Sequence, residues 1–279
     1  MTDRDREMTP AAGSESGELH EILPDLAYLR TLLANLYFVG RHGAGDRRWV
    51  LVDTGVPGYA QRIETLAFER FGPGARPSSI VLTHGHFDHV GAVKELAVRW
   101  DAPVFVHPLE LPYVTGRRAY PPPDPSVGGG VLARLSFLYP KAPIDLGGHV
   151  GELPEDGGVP GLPDWRWIHT PGHTEGHVSL WRERDRTILA GDAFITTRQE
   201  SLLAVAAQTP ELHGPPMYYT PDWDHAERSV RALAALEPEL VATGHGTPMR
   251  GEVMRAGLHE LADRFRELAI PEHGRYVGR

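Results

Sequence analysis

At 279 residues the chain is long enough for one large domain or two modest ones, with an ample core. It carries 28 Lys and Arg against 37 Asp and Glu, a formal charge of −9, and no cysteine. The acidic balance repels phosphate backbones and anionic lipid, which disfavours nucleic-acid and membrane partners. The missing cysteine excludes disulfides, thiolate zinc ligands and a cysteine nucleophile.

Residues 1–18 are polar, with no apolar stretch of the secretory kind, and read as a disordered tail. No run of about 18 apolar residues follows, so no membrane span is expected, and the protein is expected to be cytoplasmic. Residues 19–279 read as one domain. Within it, 26–30 and 32–39 read as adjacent strands, and the Gly-rich turn 40–46 leads into a third at 49–52. That strand runs into Asp53-Thr54-Gly55. Two readings stand for Asp53: a cap on the following helix, or a carboxylate that orients a metal-binding histidine from behind. Ile63, Leu66, Ala67 and Phe71 then recur at helical spacing.

Ile80-Val81-Leu82 reads as a short buried strand ending in Thr83-His84-Gly85-His86-Phe87-Asp88-His89. Three imidazoles and a carboxylate within six residues are a metal-binding composition, since neutral imidazole suits zinc, iron and manganese. His84 and His86 are two apart, which in extended backbone puts both rings on one side. His89 opens a helical pattern through Val90, Val93, Leu96 and Ala97, and 103–106 forms the next strand. His107, at its end, reads as structural. Strands alternating with helices point to an α/β layered fold.

From 111 to 161 the pattern dissolves among Pro121-Pro122-Pro123, Gly128-Gly129-Gly130 and Gly157-Gly158, with a helical piece only at 131–139. This insertion reads as a lid or substrate wall, or as plain surface loop. A strand at 165–169 then leads to Thr170-Pro171-Gly172-His173-Thr174. A hairpin of 178–181 and 187–190 delivers Asp192, and a run at 240–243 delivers His245. Apolar runs ending near 83, 170, 190 and 243 thus each present a metal-capable residue at the same relative position. Ligand sites gather at strand ends in sheet folds, and one shared site accounts for the repetition. Helices are expected over 222–236 and 253–268. Residues 195–221 read as a lid segment in which Tyr218 or Tyr219 either packs or hydrogen-bonds a substrate carbonyl, packing being the default. His177 reads as structural, and His213 and His225 as surface or supporting residues.

With His84-x-His86-x-Asp88-His89, then His173, Asp192 and His245, the chain resembles the metallo-β-lactamase superfamily across roughly residues 26–250. The resemblance implies an αββα sandwich of two mixed sheets flanked by helices. It also implies that His84, His86 and His173 hold one metal, that Asp88, His89 and His245 hold a second, and that Asp192 bridges both. Two divalent ions are expected, zinc first, with iron or manganese as alternatives. Such ions, about 3.5–4 Å apart, share a water whose pKa falls toward about 7 and polarise the substrate oxygen. Asp88 and Asp192 are the residues expected to take part in the chemistry, Asp88 by orienting that water or carrying its proton. The reaction implied is hydrolysis of a small-molecule ester, lactone or thioester. A mononuclear iron enzyme similar to persulfide dioxygenases is the alternative, followed by a phosphodiesterase or nuclease and then a silent metal-binding scaffold. Substrate markers of the superfamily are absent. There is no second-site cysteine of the lactamase type, Ile195 stands where lactonases often carry tyrosine, and 196–200 does not resemble the glyoxalase II segment. The RNA-binding arm of the tRNA-processing nucleases has no counterpart either.

Overall fold

The computed structural model describes residues 17–127, 144–197 and 211–278. Among these, seven strands form one sheet in simple chain order: β1 (Leu19–Leu23), β2 (Leu26–Arg30), β3 (Asn35–Val39), β4 (Val50–Val52), β5 (Ser79–Val81), β6 (Val104–Val106) and β7 (Val150–Glu152). β1 to β4 pair antiparallel and β4 to β7 parallel. The second sheet holds β8 (Gly158–Val159), β9 (Leu162–His169), β10 (Val178–Arg182), β11 (Thr187–Gly191), β12 (Leu240–Thr243) and β13 (Met249–Arg250). Its spatial order is β13-β12-β11-β10-β9-β8, with only β11 and β12 parallel.

Side-chain alternation along the strands dictates the layering. In β3, Leu36 and Phe38 face helix α1 (Ala60–Phe71) and helix α2 (Val93–Trp100), while Tyr37 and Val39 face the other sheet. In β12, Val241 faces helices α3 (Trp223–Ala234) and α4 (Gly251–Asp263), while Leu240 and Ala242 face inward. Helices therefore cover the outer face of each sheet, and a third apolar cluster fills the space between the sheets. The result is an αββα sandwich. Central strands are buried on both faces, which is why they read as continuous apolar runs.

Several boundaries differ from the sequence expectations. The strand expected at 32–39 begins at Asn35, because Thr31 to Ala34 form a turn closed by Thr31 Oγ1 donating to Ala34 O at 2.8 Å. The helix expected from His89 begins at Val93. His89 and Val90 lie in a preceding turn, their N–H groups donating to His86 O at 2.9 and 3.1 Å. The helix expected over 253–268 is two pieces, α4 and a single turn at Phe265–Leu268, parted where Arg264 leaves helical geometry at φ −111, ψ 26. The region 111–161 is not wholly irregular, since β7 and β8 lie in it and close the two sheets. Residues 1–16 of the expected tail and the expected helix at 131–139 lie outside the described residues. Among the described residues, no helix is long and apolar enough to cross a membrane.

Candidate metal centre

The seven metal-capable residues of the sequence all arrive at one end of the seam between the two sheets. The loop after β5 brings His84, His86, Asp88 and His89. His173 comes from the loop after β9, Asp192 immediately follows β11, and His245 follows β12. Three overlapping groups, His84/His86/His173, His84/His89/Asp192 and Asp88/His89/His245, each place their ligand atoms within 4.8 Å of one another, and every member is buried. His84 and His86 do not project from an extended strand. They follow β5 in irregular backbone, with ring centroids 4.7 Å apart and planes near perpendicular.

Hydrogen bonds behind the rings decide which nitrogen faces the centre. Thr83 Oγ1 donates its one proton to Asp53 Oδ2 at 2.8 Å, so it accepts from His84 Nδ1 at 3.0 Å. Asp53 Oδ2 also accepts from His89 Nδ1 at 2.9 Å, and Leu33 O accepts from His245 Nδ1 at 2.7 Å. Thr220 Oγ1 donates to Pro216 O and so accepts from His173 Nδ1 at 3.3 Å. In four histidines, then, Nδ1 is the anchored donor and Nε2 is the atom turned to the centre, the arrangement that supports imidazole as a ligand. The fifth, His86, directs Nδ1 at His173 Nε2, 2.9 Å away. His84 Nε2, His89 Nε2 and Asp192 Oδ1 are buried with no hydrogen-bond partner among the described residues. Orphaned ligand atoms in so polar a cluster fit bound metal, because burying them otherwise costs the full desolvation penalty.

Asp53 caps no helix, since α1 is preceded by Tyr59, and instead hydrogen-bonds His89 from behind. The residue sits at φ 58 directly after β4 and also clamps Thr83. Asp192 is placed by His177, which the sequence offered only as structural. His177 Nε2 accepts from the Asp192 N–H at 2.8 Å. Its Nδ1 begins a relay through Thr170 Oγ1 and Ser179 Oγ to Ala190 O. Gly244 completes the fit, because a Cβ there would overlap Asp192 Oδ1 and stand 2.8 Å from His89 Cε1.

Burial holds His84 and His173 well below the usual imidazole range and His86 down at about 3. Burial also opposes charge on His89 and His245, but Asp192 together with Asp53 at His89, and with Asp88 at His245, outweighs it, and both are pushed up. Those same imidazoles draw Asp192 well below the carboxylate range against its own burial.

A cavity of about 220 Å³ opens beside His86 and His173, walled by Tyr113, Tyr120, Tyr219, Tyr276 and the prolines at 121, 122 and 221. Two carboxylates that line it are already paired, Glu175 with Arg118 at 3.0 Å and Asp222 with His225 at 2.7 Å. The two candidate tyrosines separate here. Tyr219 lies 4.5 Å from the His86 ring and lines the cavity, whereas Tyr218 is buried against Val127. Tyr120 and Glu110 were not anticipated, and no spacing signal marks them. Ile195 is buried and pairs with His213 away from the cavity, while His225 is an exposed capping partner. His107 stacks on His169 at 4.3 Å.

Two mixed sheets, outer helices and clustered imidazoles at the seam define a metallo-β-lactamase-type fold. The sequence profile of the metallo-β-lactamase superfamily matches residues 29–245, and the chain belongs to that family. It is 47% identical over 256 residues to the probable metallo-hydrolase YflN of Bacillus subtilis, covering 92% of this chain and 97% of that one. The probable metallo-hydrolase YybB of the same organism is 30% identical over 70% of this chain and 74% of its own. Among solved structures, the di-iron-bound form of TTHA1623 superposes with a TM-score of 0.53 at 29% identity, covering 80% of this chain and 92% of that one. A β-lactamase domain protein from Burkholderia ambifaria gives a TM-score of 0.63 at 20% identity, over 92% and 75% of the two chains, and shares the fold.

Proposed function

We propose that the protein is a binuclear metal-dependent hydrolase acting on a small-molecule ester, lactone or thioester. The observation that carries this reading is the clustering of buried ligand atoms, in which His84 Nε2, His89 Nε2 and Asp192 Oδ1 have no hydrogen-bond partner among the described residues. His84, His86 and His173 would hold one ion and Asp88, His89 and His245 the other, with Asp192 between them. When bound, two divalent ions supply an activated water and polarise the scissile carbonyl. The chain's own residues do the rest. Asp53, Thr83, Leu33 and Thr220 fix the imidazole orientations, Asp88 would orient the activated water or carry its proton, and the tyrosine-walled cavity would receive the acyl group. Likeness to YflN, a probable metallo-hydrolase, supports hydrolysis, and likeness to the di-iron-bound TTHA1623 supports two metals. Zinc remains our expectation, and this His and carboxylate donor set suits iron or manganese as well.

The test is elemental analysis of protein purified without chelator, followed by a panel of esters, lactones, thioesters and phosphodiesters. Two ions per chain and turnover of a carboxylic-acid derivative are expected. A stoichiometry that stays near one after zinc or manganese is supplied, with oxygen consumed on a persulfide, would overturn the binuclear hydrolase. Replacing Asp192 with alanine should cut turnover by orders of magnitude, since it removes charge shared by both ions. Undiminished turnover would show that Asp192 is no bridge.

A further inference from the structure

Glu110 belongs to no ligand motif, yet it is 0% exposed and sits between the two loops that carry the first histidine group. It ends a short turn after β6. Its Oε2 accepts from the Gly85 N–H at 3.0 Å and from the Tyr120 hydroxyl. Its Oε1 accepts from Thr174 Oγ1 at 2.6 Å and from the Gly176 N–H at 3.0 Å. Gly85 lies between His84 and His86, and Thr174 follows His173. The first loop leaves one sheet and the second leaves the other, so this carboxylate spans the seam. All four partners are donors, matching the four acceptor sites of an ionised carboxylate. The approach is tight: a Cβ at Gly176 would stand 2.8 Å from the Glu110 nitrogen.

We propose that Glu110, with the hydroxyl of Tyr120 as its partner, is the positioning residue of the first metal group. It holds the His84-x-His86 loop and the His173 loop at the separation that lets their imidazoles share one ion. The inference rests on the reading that these three histidines bind metal. Tyr120 ties the clamp to the cavity, because its ring lies 4.5 Å from the His86 ring while its hydroxyl is taken up by Glu110 and Gly85. The hydroxyl therefore serves the ligand loop, and only the ring faces substrate.

The experiment is cobalt(II) titration of metal-stripped wild type and Glu110→Gln, read by visible absorption and chelator competition. The two sites are assigned with His86→Ala and His245→Ala, and melting of the metal-free proteins is measured alongside. Glutamine keeps the shape but turns an NH₂ donor toward two other donors. Glu110→Gln should weaken the first ion about 10–100-fold, the range for residues that orient metal ligands, and leave the second within about threefold. Tyr120→Phe and Thr174→Val each delete one donor and should show the same selectivity more weakly. They decide the matter should Glu110→Gln fail to fold. Unchanged cobalt affinity across the variants, or equal weakening of both ions in step with a lower melting temperature, would overturn the proposal. A wild type that binds no cobalt would instead sink the metal reading on which it rests.

Discussion

Four buried imidazoles, those of His84, His86, His173 and His177, are held neutral by their surroundings, with His86 at about 3 and His177 at about 4. In the unfolded chain each titrates near about 6.5. Below that pH the unfolded state binds more protons, so the stability these groups contribute is complete above it and declines as pH falls toward their folded values. His89 and His245 have the opposite sign, because their folded values are raised; their contribution is present below about 6.5 and is lost as pH rises through the folded values. The four outnumber the two. Metal-free protein should therefore melt at a lower temperature at about pH 5.5 than at about pH 7.5. A melting temperature that held or rose on acidification would contradict the assigned protonation. The metal-capable residues were legible in sequence because their chemistry is concentrated: three imidazoles and a carboxylate in six residues need little context. Glu110 and His177 were not, since what they grip is mostly backbone N–H and hydroxyl groups, and only folding brings those to them.

The chain's last described segment folds back across the cavity. Asp124 accepts from the Arg275 N–H, and the Tyr276 hydroxyl donates to Pro122 O at 2.6 Å. This strap pins the loop that carries Tyr120 to Pro122 and adds the Tyr276 ring to the cavity wall. Tyr276→Ala should raise KM several-fold for the best substrate of the panel while metal content and kcat stay put, because no ligand is touched. Tyr276→Phe should fall between that variant and wild type. Equal KM in all three would remove the strap from substrate binding. Elements like this one escape a reading by periodicity. β7, β8 and β13 are two or three residues long and, unlike the equally short β4 and β6, mix in glycine, glutamate or arginine, so no apolar run marks them. β1 lies at a sheet edge with no fully buried residue, so Leu19-His20-Glu21-Ile22-Leu23 carries little apolar pattern. The doubly buried strands and the amphipathic helices α1 and α3 were plain, because burial forces a continuous apolar run in the first and a helical period in the second.

The candidate centre lies where the two sheets meet, and each supplies about half of it. The first gives His84, His86, Asp88 and His89, and the second gives His173, Asp192 and His245. Protein bonds already close the seam there without metal. Asn35, at the start of β3, donates from Nδ2 to Thr243 O at 2.9 Å and Gly246 O at 2.6 Å, on either side of His245. Its backbone N–H donates to Gly244 O at 2.7 Å, and the Tyr37 hydroxyl donates to Thr243 O at 2.7 Å. Asn35→Ala removes two of these bonds and takes the side-chain donor from buried Gly246 O, while Thr243 O keeps the Tyr37 hydroxyl, which should cost about 1–3 kcal/mol. It should also loosen the loop that aims His245. Metal stabilises whichever state binds it, by an increment that grows with affinity. Added zinc should therefore raise the melting temperature of wild type more than that of Asn35→Ala, although Asn35 itself is no ligand. The measurement is the zinc-induced shift in both proteins at matched metal concentration. Equal shifts would mean that the inter-sheet bonds and the metal centre are energetically independent, and that Asn35 stabilises the sandwich without shaping the site.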